Sequence, residues 1–149
     1  MELTDRFRVQ ASNSKVWELL WDLPRLASCL PGCESIEAID DTTYRAHVKQ
    51  SVGPFKVAMD MDVSLQEVTP ERRIVMAGGG DDRKGTRLKL NRAELEVEPV
   101  SDSESEVSYT MDLTLFGRMA TLGYPVVKRK AGEMREEFTR RIVAELTDS

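Results

Sequence analysis

Residues 125–142, PVVKRKAGEMREEFTRRI, decide the fold because they contain the longest apolar stripe with helical spacing in the sequence. The stripe repeats at intervals of four, three, four and four residues, which is typical of one buried helix face. Its members are Val127, Ala131, Met134, Phe138 and Ile142. Pro125 lacks the N–H that a helix interior requires, so we expect it to begin or kink this helix. The sequence therefore predicts one long C-terminal helix with a single apolar face.

The chain before this helix alternates apolar and polar residues with the period of two that is typical of half-buried β-strands. The clearest run is 55–66, FKVAMDMDVSLQ, in which every odd-numbered residue is apolar. Residues 107–115, VSYTMDLTL, alternate in the same way. Further strands are predicted at 1–10, 34–40, 44–52, around Ile74 and Met76, and at 85–99.

Two local features modify these strands. In residues 85–99 the apolar positions shift from even to odd numbers, which predicts a β-bulge near Asn91 and Arg92 and a sharp bend of the sheet. Residues 78–84, GGGDDRK, combine glycine with charge. We expect this segment to form a flexible hairpin loop, with a gate over a cavity as one hypothesis for its use.

Two short helices are expected after the first strand. Ser12, Asn13 and Ser14 are residue types whose side chains cap a helix N-terminus. Pro24 suits the first turn of a second helix, and Pro31 followed by glycine ends that helix. The predicted order is therefore strand, two short helices, six strands and one long helix.

A sheet with one apolar face has to bury that face, and the C-terminal helix offers the stripe that is long enough to cover it. We therefore predict a single α+β domain over residues 1–149, with a curved seven-stranded antiparallel sheet wrapped around the long helix. A curved sheet around one helix cannot close everywhere, so an apolar cavity is expected where the first helical turns lift away. Six methionines on the predicted apolar faces suit a cavity that adapts to a guest, and equally an ordinary core.

The composition restricts the class of partner. The 149 residues carry 21 Lys and Arg against 26 Asp and Glu, a net charge of −5. This balance argues against a nucleic-acid partner, because phosphate backbones require a basic surface. The N-terminus lacks a basic-then-apolar pattern, and no apolar run approaches the length of about 18 residues that a membrane span requires. We therefore expect a cytoplasmic protein.

Few residues qualify as metal ligands or catalytic groups. Cys29 and Cys33 have no histidine beside them, and the single histidine, His47, lies on the polar face of its strand. No metal site and no histidine-dependent nucleophile is predicted from this set. Acid–base chemistry in the cavity would depend on the inward-facing candidates, which are Tyr44, Tyr109 and Arg92 at the bulge.

Three segments carry a resemblance to a known family: 16–24 (VWELLWDLP), 30–37 (LPGCESIE) and 116–123 (FGRMATLG). They resemble the CoxG-like family, which is named after a subunit of carbon monoxide dehydrogenase, and Phe138 after Glu137 matches a late position of that family. The resemblance covers essentially the whole chain. It implies a START-like helix-grip (SRPBCC) fold, in agreement with the architecture predicted from the residues.

The resemblance implies an accessory protein of a molybdenum-containing carbon monoxide dehydrogenase or a related redox enzyme. Helix-grip relatives typically hold lipids, sterols, quinones or polyketides, so the implied role is a non-catalytic carrier of a hydrophobic small molecule. A quinone or a lipid-like molecule is the implied guest, with no covalent cofactor. Two alternatives stay open: a cavity enzyme of cyclase or hydratase type, and a ligand-free factor for assembly or membrane recruitment of the dehydrogenase.

The candidate ligand-binding residues face the predicted cavity or its mouth. They are Tyr44, Phe55, Val57, Met59, Met61, Met76, Tyr109, Met111, Met119, Leu122, Val126 and Met134. Lys128, Arg129 and Lys130 form the one local basic run. This run predicts either peripheral contact with anionic lipid at the inner face of the cell membrane or a solvated helix face.

Overall fold

The computed structural model describes residues 1–147, so the last two residues of the predicted 1–149 domain lie outside the described residues. At its centre is a seven-stranded antiparallel sheet in the order β1-β7-β6-β5-β4-β3-β2, which confirms the predicted sheet. The strands are β1 (Glu2–Val9), β2 (Cys33–Ala38), β3 (Thr43–Val52), β4 (Phe55–Thr69), β5 (Arg73–Asp81), β6 (Thr86–Ser101) and β7 (Glu104–Gly117).

Two short helices follow β1, as the sequence predicts: α1 (Asn13–Trp21) and α2 (Leu23–Ser28). Ser12 and Asp22 cap them, since each side chain accepts a hydrogen bond from a backbone N–H three residues later. The helices carry the chain from β1 at one edge of the sheet to β2 at the opposite edge. Their position leaves one face of the sheet for the long helix.

The long helix is α3 (Tyr124–Thr147), and a short 3-10 helix, Arg118–Leu122, precedes it. Pro125 is the second residue of α3, where its missing N–H costs no hydrogen bond, so it begins the helix as predicted. Together with the curved sheet, α3 confirms the predicted helix-grip architecture.

The β-bulge predicted in β6 is present. The pairing of β6 with β7 shifts register between Leu90 and Arg92. This shift turns Ala93 to the buried face and leaves Arg92 exposed, 3.2 Å from the Glu94 carboxylate. The expectation that Arg92 faces the cavity is therefore wrong, because the extra residue of the bulge exchanges the two faces of the strand.

The expected hairpin loop over 78–84 is wrong in its first part. Gly78, Gly79 and Gly80 lie within β5 and pair with both β4 and β6. A Cβ atom on Gly78 would overlap the Asp62 carbonyl oxygen, and one on Gly80 would overlap the Asp60 carbonyl oxygen. These glycines therefore allow close approach of the strands rather than a flexible gate.

The main hydrophobic core lies at one end of the sheet. There α1 and the end of α3 pack against the inner faces of the strands. The fully buried side chains include Val16, Leu19, Leu20, Ile74, Val97, Val107 and Ile142. A smaller cluster around Val57, Met59 and Met119 occupies the other end. The region between the two clusters contains the candidate site.

Candidate functional site

The helix α3 consists of two halves that differ in burial. The buried side chains of its C-terminal half (138–147) are Phe138, Ile142 and Leu146, each exposed by 5% or less. In its N-terminal half (124–137) Ala131 is the one buried side chain, while Val127 and Met134 stay partly accessible. The apolar stripe thus continues through a part of the helix that does not pack tightly on the sheet.

A cavity of about 300 Å³ lies between the N-terminal half of α3 and the sheet. Apolar side chains from β1, from the inner faces of β2 to β7 and from α2 and α3 form most of its wall. Its volume is at the lower end of the range of about 300–1,000 Å³ that small-molecule sites occupy. The opening expected between the curved sheet and the terminal helix is therefore present.

Nine of the twelve candidate ligand-binding residues line this cavity: Tyr44, Val57, Met59, Met61, Met76, Tyr109, Met111, Met119 and Met134. Among the described residues, the cavity wall does not include Phe55, Leu122 or Val126. The last two lie beside Gly53 at the β3–β4 turn, where an added Cβ would be 3.3 Å from Leu122 and 3.5 Å from Val126. The ligand-binding role of all twelve stays a prediction.

The short helix Arg118–Leu122 closes the cavity at this end. Gly117 and Gly123 flank it with φ angles of 78° and 86°, a region of backbone conformation that favours glycine. Met119, within the segment, is buried in the cavity wall. The segment is thus a short cover between two glycine turns.

Arg118 fastens this cover to the sheet. Its Nε donates a hydrogen bond to Thr86 Oγ1 at 2.8 Å, and its Nη2 donates to Asp82 Oδ2 at 2.7 Å. Nη2 also donates to the Lys56 carbonyl oxygen at 2.9 Å, and the guanidinium lies 4.9 Å from the centre of the Phe55 ring. Phe55 therefore supports the cover instead of lining the cavity.

The Asp82 carboxylate is nearly inaccessible, with 4% of its side chain exposed. Burial alone would raise its pKa, but hydrogen bonds from the Thr86 N–H and from Arg118 outweigh that effect. The pKa of Asp82 is consequently held below its usual value. The carboxylate is therefore ionised at neutral pH and forms an ion pair with Arg118.

Tyr109 connects the cavity wall to α3. Its hydroxyl lies 3.0 Å from Thr139 Oγ1, and Thr139 in turn donates to Asp5 Oδ2 at 2.6 Å. The Tyr109 ring meets Phe138 edge-on, with the ring centres 5.4 Å apart. Burial raises the pKa of Tyr109, so its hydroxyl stays protonated and serves as a hydrogen-bond donor rather than a base.

Tyr44 provides a polar group without a partner on the cavity wall. Its hydroxyl makes no hydrogen bond with any residue of the described range 1–147. Gln50 also lines the cavity, but its Nε2 already donates to the Pro31 carbonyl oxygen at 2.5 Å. A single unpaired hydroxyl on an apolar wall is suited to orient the polar end of a guest.

Sequence reasoning missed two cations of the wall. Lys130 and Arg135 on α3 both line the cavity beside Met134. The helical period contained the signal, because Lys130 lies three residues after Val127 and Arg135 lies four residues after Ala131. The search for apolar positions passed over them because they are charged.

The remaining reactive side chains are poor candidates for chemistry. Burial raises the pKa of the thiols of Cys29 and Cys33, which keeps both protonated at neutral pH. His47 Nδ1 lies 2.7 Å from Asp60 Oδ1 on an exposed surface. Within residues 1–147, no group of three or more His, Cys, Asp or Glu side chains is arranged to hold a metal ion. Across the same residues, no helix has the length and apolar character that crossing a bilayer demands.

The sequence match agrees with this geometry. Residues 6–147 match the CoxG family, whose description names it as the G-type subunit of carbon monoxide dehydrogenase. The chain belongs to the CoxG family. This membership confirms the resemblance of the segments 16–24, 30–37 and 116–123. Among curated proteins, none matches the chain in sequence.

Solved structures share the fold of this CoxG-family chain at low identity. A conserved protein from Geobacillus kaustophilus has a TM-score of 0.89 at 20% identity, over 100% of this chain and 97% of that one. A START superfamily protein from Mycobacterium smegmatis has a TM-score of 0.74 at 11% identity, over 99% and 97%. The Zhui aromatase/cyclase from a Streptomyces species has a TM-score of 0.59 at 19% identity, over 99% and 89%. These similarities establish the START-like fold.

Proposed function

We propose that this CoxG-family protein is a non-catalytic carrier of a hydrophobic small molecule, a quinone or a lipid-like compound. The observation that carries the proposal is the apolar cavity of about 300 Å³ beneath the N-terminal half of α3. A guest that covers this wall removes apolar surface from water, which contributes about 25 cal/mol per Å². Tyr44 would bind the polar end of the guest.

A cavity-filling variant tests the carrier role. Ala131 is buried in the cavity wall, so Ala131→Leu fills part of the space; Ala144→Leu adds the same atoms on the exposed side of α3. We expect Ala131→Leu to weaken binding of the neutral fluorescent probe N-phenylnaphthylamine about tenfold, the equivalent of about two buried methylene groups. Ala144→Leu should bind the probe like the parent protein.

Organic extraction of the purified protein provides the second test. A carrier releases an intact hydrophobic molecule that mass spectrometry detects, and the Ala131→Leu variant should release less of it. Absence of any extracted molecule, combined with no uptake of the probe, would contradict the carrier proposal and favour a ligand-free assembly factor.

An enzymatic role is the second candidate, since one structural neighbour is an aromatase/cyclase. Among the described residues that line the cavity, Tyr44 and Tyr109 are the candidate acids or bases on the sheet side, and Tyr109 is committed to α3 through Thr139. A cavity enzyme would convert its extracted guest and would lose turnover in Tyr44→Phe. Recovery of the guest unchanged after incubation supports the carrier.

The proposed partner is a molybdenum-containing dehydrogenase, on the strength of the family description. We propose that the carrier delivers its guest to this enzyme, or removes the guest from it. Co-purification of the tagged protein with the dehydrogenase encoded by the same organism tests the association. Failure of the two proteins to associate at any ratio, with or without the extracted guest, would contradict it.

Contact with an anionic membrane surface is the proposed route by which the guest is exchanged. Lys128 and Arg129 are exposed near the start of α3, and Lys128 lies 5.7 Å from the ring centre of Tyr124. Tyr124 is 62% exposed, and a tyrosine beside basic residues suits a bilayer interface. Sedimentation with phosphatidylglycerol vesicles, but not with phosphatidylcholine vesicles, is the expected result. Loss of that difference would contradict the membrane contact.

A further inference from the structure

Two cations lie on the otherwise apolar wall of α3. Lys130 and Arg135 are both half-buried, and both line the cavity on either side of Met134. Five residues correspond to a rotation of about 140° in an α-helix. The two side chains therefore stand on opposite edges of the apolar stripe, and the polar end of a guest meets a cation at either edge of α3.

Neither cation has a carboxylate partner within residues 1–147. This is unusual in a chain with 26 acidic and 21 basic residues, because other half-buried arginines of this chain are paired. Arg118 binds Asp82 at 2.7 Å, and Arg141 binds Glu137 at 2.8 Å. The unpaired charge of Lys130 and Arg135 is thus available to an anion from outside the chain.

The carboxylate nearest to this description does not neutralise them. Glu94 contributes to the cavity wall, but its carboxylate lies 3.0 Å from Arg73 Nε and 3.2 Å from Arg92 Nη2. On the helix itself, residues 124–134 carry three cations against the single carboxylate of Glu133. The partial positive charge of the helix N-terminus adds to this excess.

We propose that the guest is an acidic amphiphile, with one apolar chain in the cavity and a carboxylate or phosphate head at the rim beside Lys130 or Arg135. The inference rests on the carrier role and names the chemical class of its cargo. Lysine and arginine pack their aliphatic stems on apolar surface while the charged ends reach the rim. An acidic head at that position accepts charge-assisted hydrogen bonds without requiring any carboxylate of the protein to move.

Paired probes that differ in charge alone test this inference. Decanoate and decanol share the same chain, and each can be measured by its displacement of N-phenylnaphthylamine at neutral pH. We expect decanoate to bind more tightly than decanol, and the double variant Lys130→Met, Arg135→Met to weaken decanoate binding about tenfold. Decanol binding should stay unchanged in that variant, because methionine keeps the apolar stem.

The double variant Lys128→Met, Arg129→Met is the matched control, because it removes the same charge from exposed positions of the same helix. It should leave decanoate binding within about twofold of the parent protein, since exposed charges contribute little. Equal loss in both double variants, or equal affinity for decanoate and decanol in the parent protein, would overturn the inference while leaving the carrier role intact. Failure of both probes and of N-phenylnaphthylamine to bind would instead overturn the carrier role itself.

The pKa of the bound head group is a further readout that a structural role of the cations would not move. With decanoate labelled by carbon-13 at its carboxyl, NMR should report a lower pKa for the bound carboxyl group in the parent protein than in Lys130→Met, Arg135→Met. Identical pKa values in the two proteins would contradict a head group at the rim.

Discussion

The two halves of α3 carry the same apolar stripe but have different surroundings. In the C-terminal half, Phe138 and Ile142 pack into the main core, whereas in the N-terminal half Val127 and Met134 face a cavity. The difference arises from the partners rather than from the helix, because α1 packs against the C-terminal half and fills the space there. Helical periodicity thus identifies an apolar face without revealing whether that face meets side chains or a space.

The largest expected effect comes from truncating the packed half. Ile142 is fully buried, so Ile142→Ala should lower the free energy of unfolding by about 2–5 kcal/mol. Urea denaturation followed by circular dichroism measures the change. A loss below about 1 kcal/mol would show that the C-terminal half is not the rigid anchor described here.

The cover at the end of the cavity ranks next. Arg118→Met leaves Asp82 and Thr86 without their charged partner, and we expect it to lower the free energy of unfolding by about 1–3 kcal/mol. The matched control is Arg87→Met, which removes an exposed cation 5.9 Å from the ring centre of Phe116. Equal effects of the two variants would contradict the role of Arg118 as a fastening.

The same ion pair predicts a pH dependence. The pKa of Asp82 is lower in the folded protein than in the unfolded chain, so its ionisation stabilises the fold above a pH of about 4. This contribution is lost as the pH falls through the folded-state pKa. Asp82→Asn should therefore be less stable than the parent protein at neutral pH, with a difference that shrinks in acid. A stability difference that is constant with pH would contradict the ionised pair.

A smaller effect is expected at the boundary between the two halves. Thr139→Val removes the hydroxyl that connects Tyr109 to Asp5 while keeping the shape of the side chain. We expect a loss of about 1 kcal/mol in the free energy of unfolding, typical of one hydrogen bond. Thr147→Val, at the exposed end of α3, is the control and should change stability by less.

The smallest effect belongs to the cavity half. Met134→Ala truncates a side chain that is already partly accessible, so its stability should change by less than about 1 kcal/mol. Its binding of N-phenylnaphthylamine should change more than its unfolding midpoint. A stability loss as large as that of Ile142→Ala would mean that the two halves are packed alike.

Periodicity predicted most of the fold, for physical reasons that the residues make clear. The alternation in 55–66 and 107–115 fixes which face of β4 and β7 is dry, and the phase shift near Asn91 identifies the bulge. The glycines at 78–80 predict a loop because glycine favours turns, whereas the structure uses them for close contact between strands.

The site was less predictable, because a cavity depends on how elements meet. Inward-facing strand positions such as Met59 and Met111 follow from alternation and do line the cavity. Phe55 and Leu122 are equally apolar, but their place is set by Arg118 and by the β3–β4 turn, which are contacts distant in sequence. Lys130 was missed because its charge hides an inward-facing helical position.

Hydrogen–deuterium exchange along α3, with and without N-phenylnaphthylamine, tests the central claim most directly. If the cavity beneath residues 124–137 binds the guest, the probe should slow amide exchange in that half and leave 138–147 unchanged. The Ala131→Leu variant should abolish the difference. Exchange that is unaffected by saturating probe, or slowed equally in both halves, would contradict a guest site under the N-terminal half of α3.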